Sequence, residues 1–272
     1  MSSRLVWVAA APLVLAAASL RVDVAAARPC PPPVRPPVHE RPIVRPRWLP
    51  GTIITEYWPA PERWATGRLV RVPGLPGRHR VDWVYGARGL PMEGQGIGLD
   101  GRFYHFAGPY GLTWISARGH PTVPCAGGNW SDGRPYWLAG GWRNAAGEVT
   151  FPLAGGSWSN GRGRVVQPAQ APQFRPGPSL RLPYWKTVAV DTRLIPRGSR
   201  VFVPAYCATP SHGWFVARDT GGAIIGAHID VYRPAPSQPS KGALLRNQRI
   251  FVVPPGWTRT AAGRPLPHCP AK

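Results

Sequence analysis

Three aspartates stand close together in a chain that is otherwise poor in acids. Asp191, Asp219 and Asp230 fall within 188–232, while the whole 272-residue chain carries 12 Asp+Glu against 33 Lys+Arg. Carboxyls placed near one another can divide acid and base work. Like charges disfavour joint ionisation, so one of them keeps its proton near neutral pH. Glycoside cleavage commonly uses such a pair. Each aspartate ends, or sits inside, an apolar run with a period of two. In 188–191, Val188 and Val190 share one face and Ala189 and Asp191 the other. In 213–219 the same rule groups Phe215, Ala217 and Asp219. In 228–232, Ile229 and Val231 point one way, and His228, Asp230 and Tyr232 the other. Thr220-Gly221-Gly222 separates the last two runs, and there the backbone must turn sharply or approach something closely.

A bland role competes with the chemical one. Aspartates beside turns often cap backbone amides. That reading fits Asp191 and is open for Asp219; Asp230, inside a strand, is the stronger candidate for an acid. Asp219-Thr220-Gly221 also matches the loop of an acid protease. Such an enzyme needs two of these loops; the chain has one, and its flanks do not fit.

The elements around the aspartates follow from composition. Proline (36) and glycine (32) are both abundant, which favours short strands and turns over long helices. Residues 1–27 have the form of an export signal: Arg4, an apolar run over 5–20 too short to span a membrane comfortably, then Ala25-Ala26-Ala27. Residues 28–50 are rich in Pro and Arg and are expected to be an extended tether, a solvated linker or an adhesive for an anionic polymer. Folded character resumes at 51–106, where 52–58 and 81–85 read as strands. Residues 92–101 carry Gly94-Gln95-Gly96 and Gly98. This is not a nucleotide loop, because no strand and helix frame it and no lysine follows. Glu56 and Glu93 are candidate cleft carboxylates or solvated surface acids. Residues 107–180 are rich in Trp and Gly. Asp132-Gly133 and Asn160-Gly161 predict two similar two-residue hairpins. Trp130, Trp137, Trp142 and Trp158 either stack on sugar rings or fill a small β core. Residues 181–255 hold the aspartates, and 256–272 form a tail.

Four cysteines, Cys30, Cys125, Cys207 and Cys269, allow three pairings. In an exported chain disulfides are the default. The expected bridges are Cys125–Cys207, both in loops of the folded part, and Cys30–Cys269, joining the ends. No CxxC motif or His cluster suggests a metal, and no cofactor is expected. The formal charge of +21 is spread along the chain. It suits work among anionic wall polymers; the export signal and the lack of a recognition motif argue against nucleic acid.

Residues 186–251 resemble the three-aspartate (3D) domain, the catalytic barrel of the membrane-bound lytic transglycosylase A family. The resemblance rests on the Ile195-Pro196-x-Gly198-Ser199 turn, on 219–224 (Asp-Thr-Gly-Gly-Ala-Ile) and on His228-Ile229-Asp230. It implies a mainly β fold: a six-stranded double-psi β-barrel with an inserted β subdomain, here the Trp/Gly-rich segment. It implies cleavage of peptidoglycan glycan strands with Asp230 as the acid, and with Asp219 and Asp191 as the other two aspartates. The same resemblance makes Gly221, Gly222, Ala223, His228, Tyr232, Glu93 and Gln95 candidate substrate contacts, the last two from a weaker likeness of 92–101 to an upstream family segment. Amides of Gly221 and Gly222 are expected to hold Asp219. Ile225 departs from the family, which has lysine there. The expected product is a monomer of the cell wall or periplasm, without a stable membrane span. Expansin-like wall binding without catalysis is the rival reading.

Overall fold

The computed structural model describes residues 28–29, 41–85, 89–108, 113–116, 142–143, 146–147, 149–153, 157–159, 165–168, 173–221 and 224–270. The chain is mainly β, and six strands close a barrel: β1 (Arg47–Tyr57), β2 (Thr187–Val190), β3 (Arg200–Phe202), β4 (Trp214–Asp219), β5 (His228–Tyr232) and β6 (Leu244–Val253). Their order around the barrel is β2-β4-β3-β6-β1-β5, and β5 returns to β2. The β2–β4 and β5–β1 contacts are parallel and the other four antiparallel. Closure gives each of the six strands a partner on both sides over at least part of its length.

Alternation decides what fills the barrel. Val188, Val190, Val201, Phe215, Ala217, Ile229, Val231, Ile250 and Val252 form one buried cluster. Ile54 of β1 belongs to it, with Leu194 and Ile195 from the turn after β2. All four residues of β2 are buried, so its outer face is covered as well.

The first strand enters earlier than composition suggests. β1 starts at Arg47, inside the stretch expected to be tether, and Arg28–Pro29 pairs in parallel with Trp142–Arg143. Proline is tolerated in β1 because Pro50 sits in a bulge. Leu49 pairs with Ile250 and Thr52 with Gln248, which leaves an extra residue in β1 between them. Gly51 there adopts φ 68°, the left-handed region natural to glycine. At this level β1 has β6 on one side only; its pairing with β5 begins at Ile53.

Residues 60–106 do not continue the barrel, contrary to expectation. They build a small sheet of their own, in the order Gln173–Pro176, Phe103–Gly108, Gln95–Ile97 and Ala60–Pro61. Its core is Trp83, Val84, Leu90, Tyr104, Phe106 and Phe174. Residues 81–85, expected to be a strand, are the helix α1 (Val81–Tyr85), followed by α2 (Leu90–Glu93). Five residues are too few for alternation to separate strand from helix. Here Trp83 turns inward and donates Nε1–H to the Ala60 carbonyl at 2.8 Å. Asp82 turns outward and accepts from the amides of Thr66 and Gly67, both at 2.9 Å.

In the Trp/Gly-rich stretch, Thr113–Ser116 pairs with Val149–Leu153, and Ser157–Ser159 with Val165–Pro168. Ser159 pairs with Val165, and Asn160-Gly161 lies outside the described residues. Asp132-Gly133, Trp130 and Trp137 lie outside the described residues; Trp142 and Trp158 fall on strands.

The disulfide expectation is corrected. Cys207 is bonded to Cys269, with Cα atoms 5.6 Å apart. The tail folds back over the outside of β3 and β6, where Trp48, Trp214, Trp257 and Leu266 pack against Phe202, Phe251 and Val253. That packing brings Cys269 to the turn after β3. Cys30 and Cys125 lie outside the described residues. Among the described residues no helix is long and apolar enough to cross a membrane.

Candidate active site

Asp230 occupies the middle of β5 and points away from the barrel core, as the alternation of Ile229 and Val231 requires. On one side it pairs with Thr55 of β1, and on the other with Ala189 of β2. Ala189 in turn pairs with Asp219 of β4. The two aspartates therefore flank one small residue on the outer face. Strict alternation would have sent Asp219 inward with Phe215 and Ala217. A β-bulge prevents this: Val188 pairs with Ala217 and Ala189 with Asp219, leaving Arg218 as the extra residue. Bulges of this kind re-aim a side chain, and this one separates Asp219 from the core-facing set expected above.

The two carboxylates are held differently. Asp219 accepts a 2.6 Å bond from the Tyr57 hydroxyl and a 2.8 Å bond from the Thr220 amide. These are not the Gly221 and Gly222 donors expected from the sequence; Gly221 is exposed, and Gly222 and Ala223 lie outside the described residues. Asp230 accepts from the Thr55 hydroxyl at 2.8 Å, and His228 Nε2 lies 3.0 Å from the same hydroxyl oxygen. Asp230 is half-buried. Its pKa is pushed up to about 7, first by loss of solvent and then by the charges of Asp219 and Glu56, with the Thr55 bond acting in the opposite sense. The Asp230 carboxyl thus keeps its proton to about neutral pH. Tyr57 is raised far above the ordinary tyrosine range by burial and by Asp219, so it remains a hydrogen-bond donor.

The small sheet covers this face. Gly94 ends α2 in the left-handed conformation, at φ 73°. Gly96 packs so tightly that a Cβ would lie 2.6 Å from the Ala60 carbonyl. Those two glycines, not a phosphate, account for the glycine pattern, and they deliver Gln95 to the barrel. Gln95 Nε2 donates to the Tyr232 hydroxyl at 2.9 Å. Its buried Oε1 has no hydrogen-bond partner among the described residues. Glu93, also half-buried, is raised to about 7 by desolvation and by the Asp230 charge. Tyr232 is sandwiched by aromatic rings, with Tyr184 stacked at 4.9 Å and Tyr57 tilted at 5.0 Å.

Two other acids stand apart. Asp191 accepts from Arg193 Nη2 at 2.7 Å, from Arg193 Nε at 2.9 Å, and from the amides of Arg193 and Gly226 at 3.0 and 2.9 Å. The Arg193 guanidinium is the main cause of its lowered pKa. It is a stapled, ionised group that ties the turn after β2 to the turn before β5. Glu56 accepts from Arg233 at 2.8 Å, from the Ala243 amide at 3.0 Å and from the Tyr206 hydroxyl at 3.0 Å, which pins β1 to the segments around it.

The structure thus brings together Asp230, Asp219, His228, Tyr232, Glu93 and Gln95, and sets Asp191 elsewhere. Sequence reasoning missed Thr55, Tyr57 and Tyr184. Thr55 and Tyr57 carried a visible signal, as the polar phase of a strand whose other phase includes Thr52 and Ile54. The partner strand that this phase would meet was not visible.

Comparison with known proteins agrees with the sequence motifs. Residues 186–254 match the family model described as the 3D domain. The cell wall-binding protein YocH of Bacillus subtilis is 47% identical over 58 residues, which is 21% of this chain and 18% of that relative's length. Solved structures are also similar, among them the following three. MltA from E. coli is 19% identical, with a TM-score of 0.33 over 74% of this chain and 72% of that one. E. coli MltA with bound chitohexaose is 18% identical, with a TM-score of 0.32 over 75% and 73%. The membrane-bound lytic murein transglycosylase of Agrobacterium tumefaciens is 14% identical, with a TM-score of 0.30 over 77% of each chain.

Proposed function

We propose that the protein is an exported cell-wall lytic transglycosylase that cleaves the bond between N-acetylmuramic acid and N-acetylglucosamine in peptidoglycan. The observation that carries this reading is the Asp230 carboxyl, held protonated near neutrality on an outward face and flanked through Ala189 by Asp219. The 3D-domain match over 186–254 supplies the substrate class. A disulfide between Cys207 and Cys269 supports export to an oxidising compartment.

The steps follow from the site. The Asp230 carboxyl gives its proton to the glycosidic oxygen as the bond from that oxygen to muramic acid C1 breaks. The muramic acid 6-hydroxyl closes on C1, and its proton passes to the Asp230 carboxylate. The acid is regenerated, a 1,6-anhydro sugar is formed and no water is consumed. Loss of solvent holds the Asp230 pKa up, and the charge of Asp219 adds to it. Thr55 orients the Asp230 carboxyl, and Tyr57 orients Asp219.

A second reading has its own support: the relative with 47% identity over 58 residues is named a cell wall-binding protein. Digestion of purified sacculi, with mass spectrometry of the soluble products, decides between them. The transglycosylase reading expects anhydro-muropeptides. Protein that sediments with sacculi but releases none is a binding module.

A further inference from the structure

We propose that a groove beside the carboxylate face, walled by Leu180, Arg181, Leu182, Arg197, Val216 and Arg218, is a subsite for a carboxylate carried by the muramic acid units of the glycan. The proposal rests on the glycan substrate inferred above. The groove encloses about 450 Å³ and is open to solvent, and no carboxylate lines it among the described residues. Its three guanidiniums belong to exposed residues, and no ion pair engages them among the described residues. Arg197 is fixed in place by donating to the Arg218 carbonyl, so part of the ordering cost of binding is already met. Like charges gathered without a counter-charge repel, and an incoming anion relieves that. Guanidinium forks match the planar oxygens of a carboxylate. Leu180, 46% exposed, and Leu182 give the groove an apolar wall, against which a short organic substituent can lie.

Position ties the groove to the glycan site. Arg218 is the bulge residue immediately before Asp219. Leu182, which also lines the groove, lies two positions before Tyr184, which stacks on Tyr232. The same two segments therefore line the groove and the carboxylate face. The overall charge of +21 draws any anion toward the protein; the groove adds a placed set of charges next to the acid. Two groups could supply the carboxylate: the lactyl ether of muramic acid once its peptide is removed, or the peptide stem itself.

Binding of three oligosaccharides of equal length, followed by titration calorimetry at fixed salt, tests the proposal. The probes are a neutral chito-oligosaccharide, a peptide-free muramic acid oligosaccharide and its peptide-bearing form. The comparison is between the full chain and Arg181→Gln/Arg218→Gln, whose side chains are exposed; near-UV dichroism checks the fold, and the two single substitutions repeat the measurement with smaller changes. The double variant is expected to lose about tenfold in affinity, roughly the worth of one charge-assisted hydrogen bond, for muramic acid ligands and nothing for the chito-oligosaccharide. Loss only with the peptide-free form assigns the lactyl carboxylate, which is an amide in the peptide-bearing form; loss only with the peptide-bearing form assigns the stem; loss with both means that either carboxylate fills the subsite. An equal loss for all three probes, or no loss with either muramic acid form, overturns the proposal. Failure of the cleavage reading shows separately, as no anhydro product from sacculi, and leaves the binding comparison readable.

Discussion

Two acids sheltered from solvent, one in each core region, show what makes a carboxylate available for chemistry. Glu62 lies in the small sheet's core and is fully buried. It receives His79 Nδ1 at 2.9 Å, the Arg80 amide at 2.6 Å and the Leu99 amide at 2.9 Å. The same imidazole reaches the Pro76 carbonyl through Nε2 at 2.9 Å, so Glu62 anchors a chain of bonds across three loops. Asp230, less buried, meets the Thr55 hydroxyl and faces the charges of Asp219 and Glu56. Burial does not by itself separate an acid held by the fold from the proposed proton donor. The supply of donors does: Glu62 is surrounded by them, whereas desolvation and neighbouring anions hold a proton on Asp230.

Removing each acid should break the molecule in a different way. Asp230→Asn keeps the shape but has no acidic proton, so release of anhydro-muropeptides from sacculi should fall at least 10²- to 10⁴-fold, the usual worth of general acid catalysis. The fold should persist, and above pH 7 the variant should melt higher than wild type. The sign follows from the shift. With a folded pKa of about 7 against an ordinary 3.8, the folded state binds the proton more tightly. The stability this provides is present below about pH 4 and fades as pH rises to about 7. An amide does not ionise and escapes that loss. Thermal melts at pH 4 and pH 8 check it.

Glu62→Gln should do the reverse. Loss of one partner from a buried ionic network costs about 3–5 kcal/mol, read by urea unfolding, while activity per folded molecule stays near wild type. A smaller loss comes from Cys269→Ser. Cys207 and Cys269 are 62 positions apart, and opening a loop of that size typically costs about 2–4 kcal/mol. It should appear as a lower unfolding midpoint, matched by wild type under reducing conditions, with cleavage retained at low temperature.

How much of this was legible in the sequence follows from the range of each interaction. The alternation around Asp230 predicted its outward face, because strand parity is local. The barrel was expected from the family resemblance that the 195–199 and 219–224 turns carry, not from any local pattern of their own. Asp219 was put on the wrong face, because a one-residue bulge at Arg218 leaves no mark in a pattern of apolar and polar residues. Its hydroxyl donor, Tyr57, is 162 positions away, and no local spacing reports such a contact. The small sheet went unread for a similar reason: Gln173–Pro176 closes it from far along the chain. The cysteines could be counted but not paired, since three connectivities fit any four and the choice depended on a tail folding back over β3 and β6.

The central claim is that Asp230 carries a proton near neutrality in the folded protein. Carbon-13 NMR titration of the aspartate carboxyls, with Asp230→Asn to assign the signal, measures it directly. The account predicts that the Asp230 resonance titrates with an apparent pKa near 7, and that Asp219→Asn moves it lower by removing a neighbouring anion. A resonance that titrates near 4 and ignores the Asp219 substitution would contradict the account.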